Sequence, residues 1–140
     1  MAESFLQPSP ANLAAFGKVV PEKPVHMLNF LRFRERAEYP QTHEHASKNW
    51  TGQRAYQQYG SEIAGPFGRA GAKIIWQNLT LGTVIGPDAE LWDSIFTVEY
   101  PNAQAFQTMI SDPEYLKGAV NRTAALADSR LYLTQPSAQS

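Results

Sequence analysis

At 140 residues the chain has the length of one ordinary domain, and 43% hydrophobic with 11% aromatic content supplies enough apolar material for a packed core. Twelve basic against thirteen acidic residues leave a net charge of −1, without the concentrated positive field that nucleic acid requires; the densest basic stretch, Arg32-Phe33-Arg34-Glu35-Arg36, is diluted by its own glutamate. No cysteine is present, which excludes disulfides, thiolate metal sites and cysteine nucleophiles and fits a cytoplasmic protein, and no apolar run approaches the roughly 20 residues of a membrane-spanning helix.

The first residues, Met1-Ala2-Glu3-Ser4-Phe5-Leu6-Gln7-Pro8, carry no apolar signal-peptide segment. Ser9-Pro10 can cap and start a short helix to about Lys18, which Pro21 and Pro24 close. Residues 25–33 are almost wholly apolar, so a central strand covered on both faces is expected. Residues 34–50 are polar and show no apolar period; a stretch of this kind reads as a loop, either a lid or a solvated segment. Thr51 or Gly52 then opens a helix with Tyr56, Tyr59, Ile63 and Phe67 on one side, Pro66 marks a kink or stop, and Gly71 is the exit.

A strand pattern follows over 72–85 and ends at Gly86-Pro87-Asp88. Residues 91–100 form the next, with Trp92, Phe96, Val98 and Tyr100 sharing one face. Pro101-Asn102 caps a helix carrying Ala103, Phe106 and Ile110 inward. Ser111-Asp112-Pro113 breaks and restarts it, and Leu116, Ala119, Val120 and Thr123 continue the stripe. A last strand over about 127–134 precedes a Pro/Ser/Gln tail expected to be disordered. The division is therefore an N-terminal extension (1–24), one domain (25–134) and a tail (135–140).

The order strand, helix, strand, strand, helix, strand is that of a ferredoxin-like βαββαβ unit: an α+β fold with a four-stranded antiparallel sheet and helices on one face. Two helices can cover only one face, while the other still carries Ile95 and one apolar set from the first strand. Pairing with a second copy through that open face, as a dimeric α/β barrel, is the simplest way to bury it.

Several motifs resemble the bacterial domain of unknown function 1330 family. They are Met27-Leu28-Asn29-Phe30-Leu31-Arg32-Phe33-Arg34, Thr51-Gly52 with Ala55-Tyr56 and Tyr59-Gly60, and Ile85-Gly86-Pro87 with Trp92-Asp93. Val98-Glu99-Tyr100-Pro101, Met109 to Tyr115 and Arg122 to Leu131 complete the set, which spans roughly residues 25–134. The resemblance implies a dimeric α/β barrel and implies no activity. Residues 34–50 are longer than the family's usual connection.

Candidate chemistry lies in a few polar residues among apolar ones. Asn29 could orient a ligand carbonyl and Arg32 hold a carboxylate, but three residues apart on a strand they point to opposite faces. The alternative is that Asn29 satisfies nearby backbone and Arg32 pairs with Asp93 or Glu99. Asp93 beside Trp92 is a candidate general base, or else a turn cap or ion-pair partner. Arg122 could reach a cavity mouth. The amphipathic aromatics Tyr56, Tyr59, Trp76, Trp92, Tyr100 and Tyr115 could line a pocket between helices and sheet for a flat or aromatic ligand, or simply pack. His26 reads as a proton shuttle or an interface histidine. His43-Glu44-His45 has neither i, i+4 spacing nor an evident third ligand, so no metal is expected, and a solvated loop is the plainer reading.

No phosphate loop, dinucleotide fingerprint or nucleophile elbow is present, so no cofactor is expected. Two readings stand. One is a homodimer binding a small aromatic or carboxylate-bearing molecule, with Asp93, Asn29 and Arg122 as candidate catalytic residues and Arg32, Tyr56, Trp76, Trp92 and Tyr100 as ligand contacts. The other is a non-catalytic binding or structural module.

Overall fold

The computed structural model describes residues 3–137. Four strands form one antiparallel sheet: β1 (Val25–Phe33), β2 (Lys73–Leu79), β3 (Ser94–Tyr100) and β4 (Leu126–Thr134), in spatial order β2-β3-β1-β4. The fold is ferredoxin-like, with β1 and β3 in the middle. Strand alternation sends Val25, Met27 and Leu31 of β1 and Phe96, Val98 and Tyr100 of β3 into a core against the helices. His26, Leu28, Phe30, Arg32, Ile95, Thr97 and Glu99 consequently face the other way.

Four α-helices start where a short polar side chain caps a free backbone N–H group. Ser9 Oγ accepts from the Asn12 amide at the start of α1 (Pro10–Leu13), which tightens into a 3-10 helix over Ala14–Lys18. Thr51 Oγ1 accepts from Arg54 before α2 (Gly52–Glu62). Asn102 does so for α4 (Ala103–Ser111), and Asp112, followed by Pro113, for α5 (Pro113–Ala125). The break ahead of Pro66 falls at Ile63, where α2 gives way to α3 (Ala64–Arg69). Pro66 has no N–H to offer the turn before it, so the helix stops three residues early and restarts with proline in its first turn. Gly71 takes a left-handed φ of 71° at the exit.

Two strand boundaries differ from the sequence pattern. β2 ends at Leu79, and residues 80–93 form an irregular excursion in which Leu81, Val84 and Ile85 are almost fully exposed. Gly82 and Gly86-Pro87 interrupt what hydrophobicity alone suggested was strand. β3 begins at Ser94, not at Leu91. Trp92 therefore escapes the alternation that would align it with Phe96, and lies against Phe30 on the opposite face, ring centroids 5.9 Å apart.

Most of residues 34–50 are exposed, but the segment is anchored on the helices. Backbone hydrogen bonds tie them to the end of α5, from Arg34 N–H to Ala125 O (2.8 Å) and from Glu38 N–H to Ala124 O (2.9 Å). Tyr39, His43, His45 and Trp50 then pack into one aromatic cluster, with Arg54 of α2 4.1 Å above the Trp50 ring. The Tyr39 hydroxyl donates to Asn121 Oδ1, and His45 Nε2 stands 3.2 Å from Glu62 Oε2. The segment is a clasp across α2 and α5, on the helical side, and it leaves the open sheet face bare. Of the tail, Gln135 is bonded to the Val20 backbone, and residues 138–140 lie outside the described residues.

Candidate functional site

A cavity of about 1240 Å³ lies between the helix-facing side of the sheet and helices α2 to α5, with the N-terminal segment from Phe5 to Lys18 along its rim. The same alternation that builds the core supplies its floor: Met27 and Asn29 from β1, Phe96, Val98 and Tyr100 from β3, Leu131 and Leu133 from β4. The walls are Tyr56, Tyr59 and Ile63 of α2, Phe67 of α3, Phe106 and Met109 of α4, and Tyr115 and Arg122 of α5.

Its polar side chains are mostly uncharged. Tyr59 and Tyr115 meet hydroxyl to hydroxyl at 3.0 Å, and the Tyr56 ring lies tilted against that of Tyr59, centroids 5.1 Å apart. Burial pushes the Tyr56 phenol up to about 12, against a smaller opposing pull from the Arg122 guanidinium that hydrogen-bonds it. Burial also raises Tyr59 well above the ordinary value, reinforced by Tyr115, and raises Tyr100. All three stay protonated at neutral pH and serve as hydrogen-bond donors, not bases. The Asn29 amide donates to Met27 O at 3.1 Å.

Arg122 projects from the last turn of α5. Its Nη1 donates to Leu6 O (2.9 Å) and its Nη2 approaches Ser129 Oγ (3.4 Å). With the Tyr56 hydroxyl, these partners are all uncharged, and no ion pair among the described residues includes Arg122. The lining residues contain three cations, Lys18, Arg122 and Arg130, and no aspartate, glutamate or histidine. Arg130 is already paired with Asp128 at 2.8 Å. Arg122 is thus a half-buried cation in an apolar chamber without a counter-charge.

The structure brings Asn29, Tyr56, Tyr100 and Arg122 together and leaves the other candidates elsewhere. Asp93 lies outside the cavity: its carboxylate accepts the Phe33 amide at 2.8 Å, and its own N–H donates to Leu31 O at 2.7 Å. It caps the end of β1, one of the alternatives the sequence offered. Arg32 sits on the open face and pairs across the strand with Asp128 at 3.6 Å, not with Asp93 or Glu99. Trp76 and Trp92 are on that face as well. His26 there bonds Glu99 at 2.9 Å. Among the described residues no cluster of three or more ligands could hold a metal, and His43 Nδ1 is occupied by the His45 amide. Leu6 and Ser129 could not be foreseen as partners of Arg122, because Leu6 is 116 residues away and Ser129 reads as an ordinary strand residue.

The chain is 38% identical to a protein of unknown function from Rhodopseudomonas palustris, over 96% of this chain and 98% of that one, with a TM-score of 0.84. The chain belongs to that protein's family. With more distant structures the likeness is one of fold. A hydroxynitrile lyase from Passiflora edulis is 13% identical over 84% of this chain and 97% of its own, at a TM-score of 0.53. A dabb family protein with a ferredoxin-like fold from Mesorhizobium loti is 9% identical over 81% and 97%, also at 0.53. No family model and no curated protein matches the chain. No helix of the described residues is long and apolar enough to cross a membrane.

Proposed function

We propose that this protein works as a homodimer in which each subunit binds an apolar molecule bearing a carboxylate, aromatic or otherwise, in the cavity between sheet and helices. One observation carries the reading: a chamber walled by aliphatic and aromatic side chains holds the uncompensated cation Arg122 and no acidic residue. A half-buried charge with only neutral partners keeps unused donor capacity, which an anionic ligand would take up. Asn29 and the three buried phenols would orient the ligand's remaining polar atoms.

The same lining favours binding without turnover. General base catalysis needs a proton acceptor near neutral pH, and the cavity has no carboxylate or imidazole to supply one. Chemistry there would be limited to polarising a ligand carbonyl through Arg122, Asn29 and Tyr56. Placement in the domain of unknown function 1330 family rests on the sequence motifs, and a cytoplasmic location rests on the absence of cysteine.

The test is a thermal-shift screen of aromatic and aliphatic carboxylates. Ligands should raise the melting temperature of the native protein, and Arg122→Gln should abolish the shift while leaving the unliganded melting temperature within a few degrees. A panel in which no carboxylate shifts the native protein would refute the proposal.

A further inference from the structure

The cavity's length and the position of its cation say more about the occupant. Arg122 touches Ser129, which pairs with Leu31 on β1, whereas the Tyr100–Phe106 ring contact lies beside Val25 of the same strand. Those β1 residues are six apart, a span of about 20 Å at the rise of an extended strand. Both Arg122 and Phe106 line the one chamber, so it runs along the strand with a guanidinium at one end. Toward the other end its lining includes Phe106, with Phe16 stacked on it at 5.8 Å, and Met109. The volume, about 1240 Å³, exceeds the roughly 300–1,000 Å³ of sites for drug-sized ligands. A single-ring acid would pair with Arg122 and leave most of the apolar cavity unfilled.

We infer that the occupant is a long apolar monoacid of fatty-acid proportions, its carboxylate on Arg122 and its tail laid along β1 toward Phe106. Arg122 has five N–H donors, and its present acceptors do not exhaust them, so a carboxylate can be added beside Leu6 and Ser129. The tail meets Met27 and Met109, unbranched side chains that adapt to a flexible chain. This inference rests on the reading of the cavity as a ligand site and specifies what fills it.

The experiment measures binding of hexanoate, decanoate, hexadecanoate, hexadecanol and benzoate to the full chain by calorimetry. Affinity should rise at least about tenfold from hexanoate to hexadecanoate, since each buried methylene adds to the transfer term. Hexadecanol should bind at least about tenfold more weakly than hexadecanoate, the scale of a lost charge-assisted hydrogen bond. In Arg122→Gln the acid should fall to the affinity of the alcohol, and Arg122→Lys should restore part of the difference. Benzoate or hexanoate binding as tightly as hexadecanoate would overturn the long-chain assignment while leaving the cavity a ligand site. Equal binding of acid and alcohol would overturn the Arg122 anchor. Binding of none of the five would remove both this inference and the proposal beneath it.

Discussion

Asp93 and Tyr56 show how far a residue's role depends on its neighbours in space. Beside Trp92 in sequence, Asp93 had the look of a base in an apolar setting. In the fold it accepts a backbone N–H that would otherwise go unpaired at the end of β1. Asp93→Ala should therefore cost at most about 1 kcal/mol of stability, as for an exposed hydrogen bond that water can replace, and leave carboxylate affinity unchanged; urea titration and calorimetry read the two separately. Tyr56 predicts an alkaline limit. Above pH 10 an unfolded tyrosine gives up its proton, while the folded one keeps it to about 12. The unfolded state then binds fewer protons, so stability falls as pH rises through that window. Tyr56→Phe should flatten this decline without removing it, since Tyr59 and Tyr100 are raised by the same burial. Denaturation midpoints taken on either side of pH 10 would measure the change. The sequence offered a cap as one reading of Asp93 but could not choose it over a base, and the burial of Tyr56 depends on packing that the sequence does not show.

The elements themselves were far more legible. Period-two and helical spacing located β1, α4 and α5 closely, and Ser9, Thr51, Asn102 and Asp112 marked the helix starts, because such signals are local. Residues 34–50 resisted this treatment for a physical reason. Their cohesion comes from rings and imidazoles stacked on one another and on α2, a pattern without periodicity. Gly52 is part of the same junction. A Cβ there would come within 2.2 Å of Arg34 O and 2.5 Å of Ala125 O, both backbone atoms that cannot swing aside. Gly52→Ala should destabilise the protein by about 2 kcal/mol, despite alanine's better helix propensity. A thermal melt in which Gly52→Ala matched or exceeded the native protein would show that the clasp can yield.

At the scale of the whole molecule, topology was legible because only one arrangement satisfies both apolar faces of β1 and β3. The candidate site was half legible: strand parity separates Asn29 from Arg32, but it cannot say which face holds a cavity. The open face, with Leu28, Phe30 and Ile95 between its paired charges, also bears Trp76 at 41% exposure and Tyr132 at 53%. Introducing charge there should split the proposed dimer without harming the subunit. Trp76→Glu is expected to sediment as a monomer with an unchanged circular dichroism spectrum, and a native protein that is monomeric at micromolar concentration would contradict the proposed assembly.

The three tryptophans carry a practical consequence. Trp50 is locked in the clasp, Trp76 and Trp92 stand on the open face, and none of them borders the cavity, whose chromophores are tyrosines. Indole emission should therefore follow association of subunits and loosening of the clasp, whereas an occupant entering the chamber should register in the tyrosine absorption band. Two events in one small protein can be watched at separate wavelengths without attaching a dye.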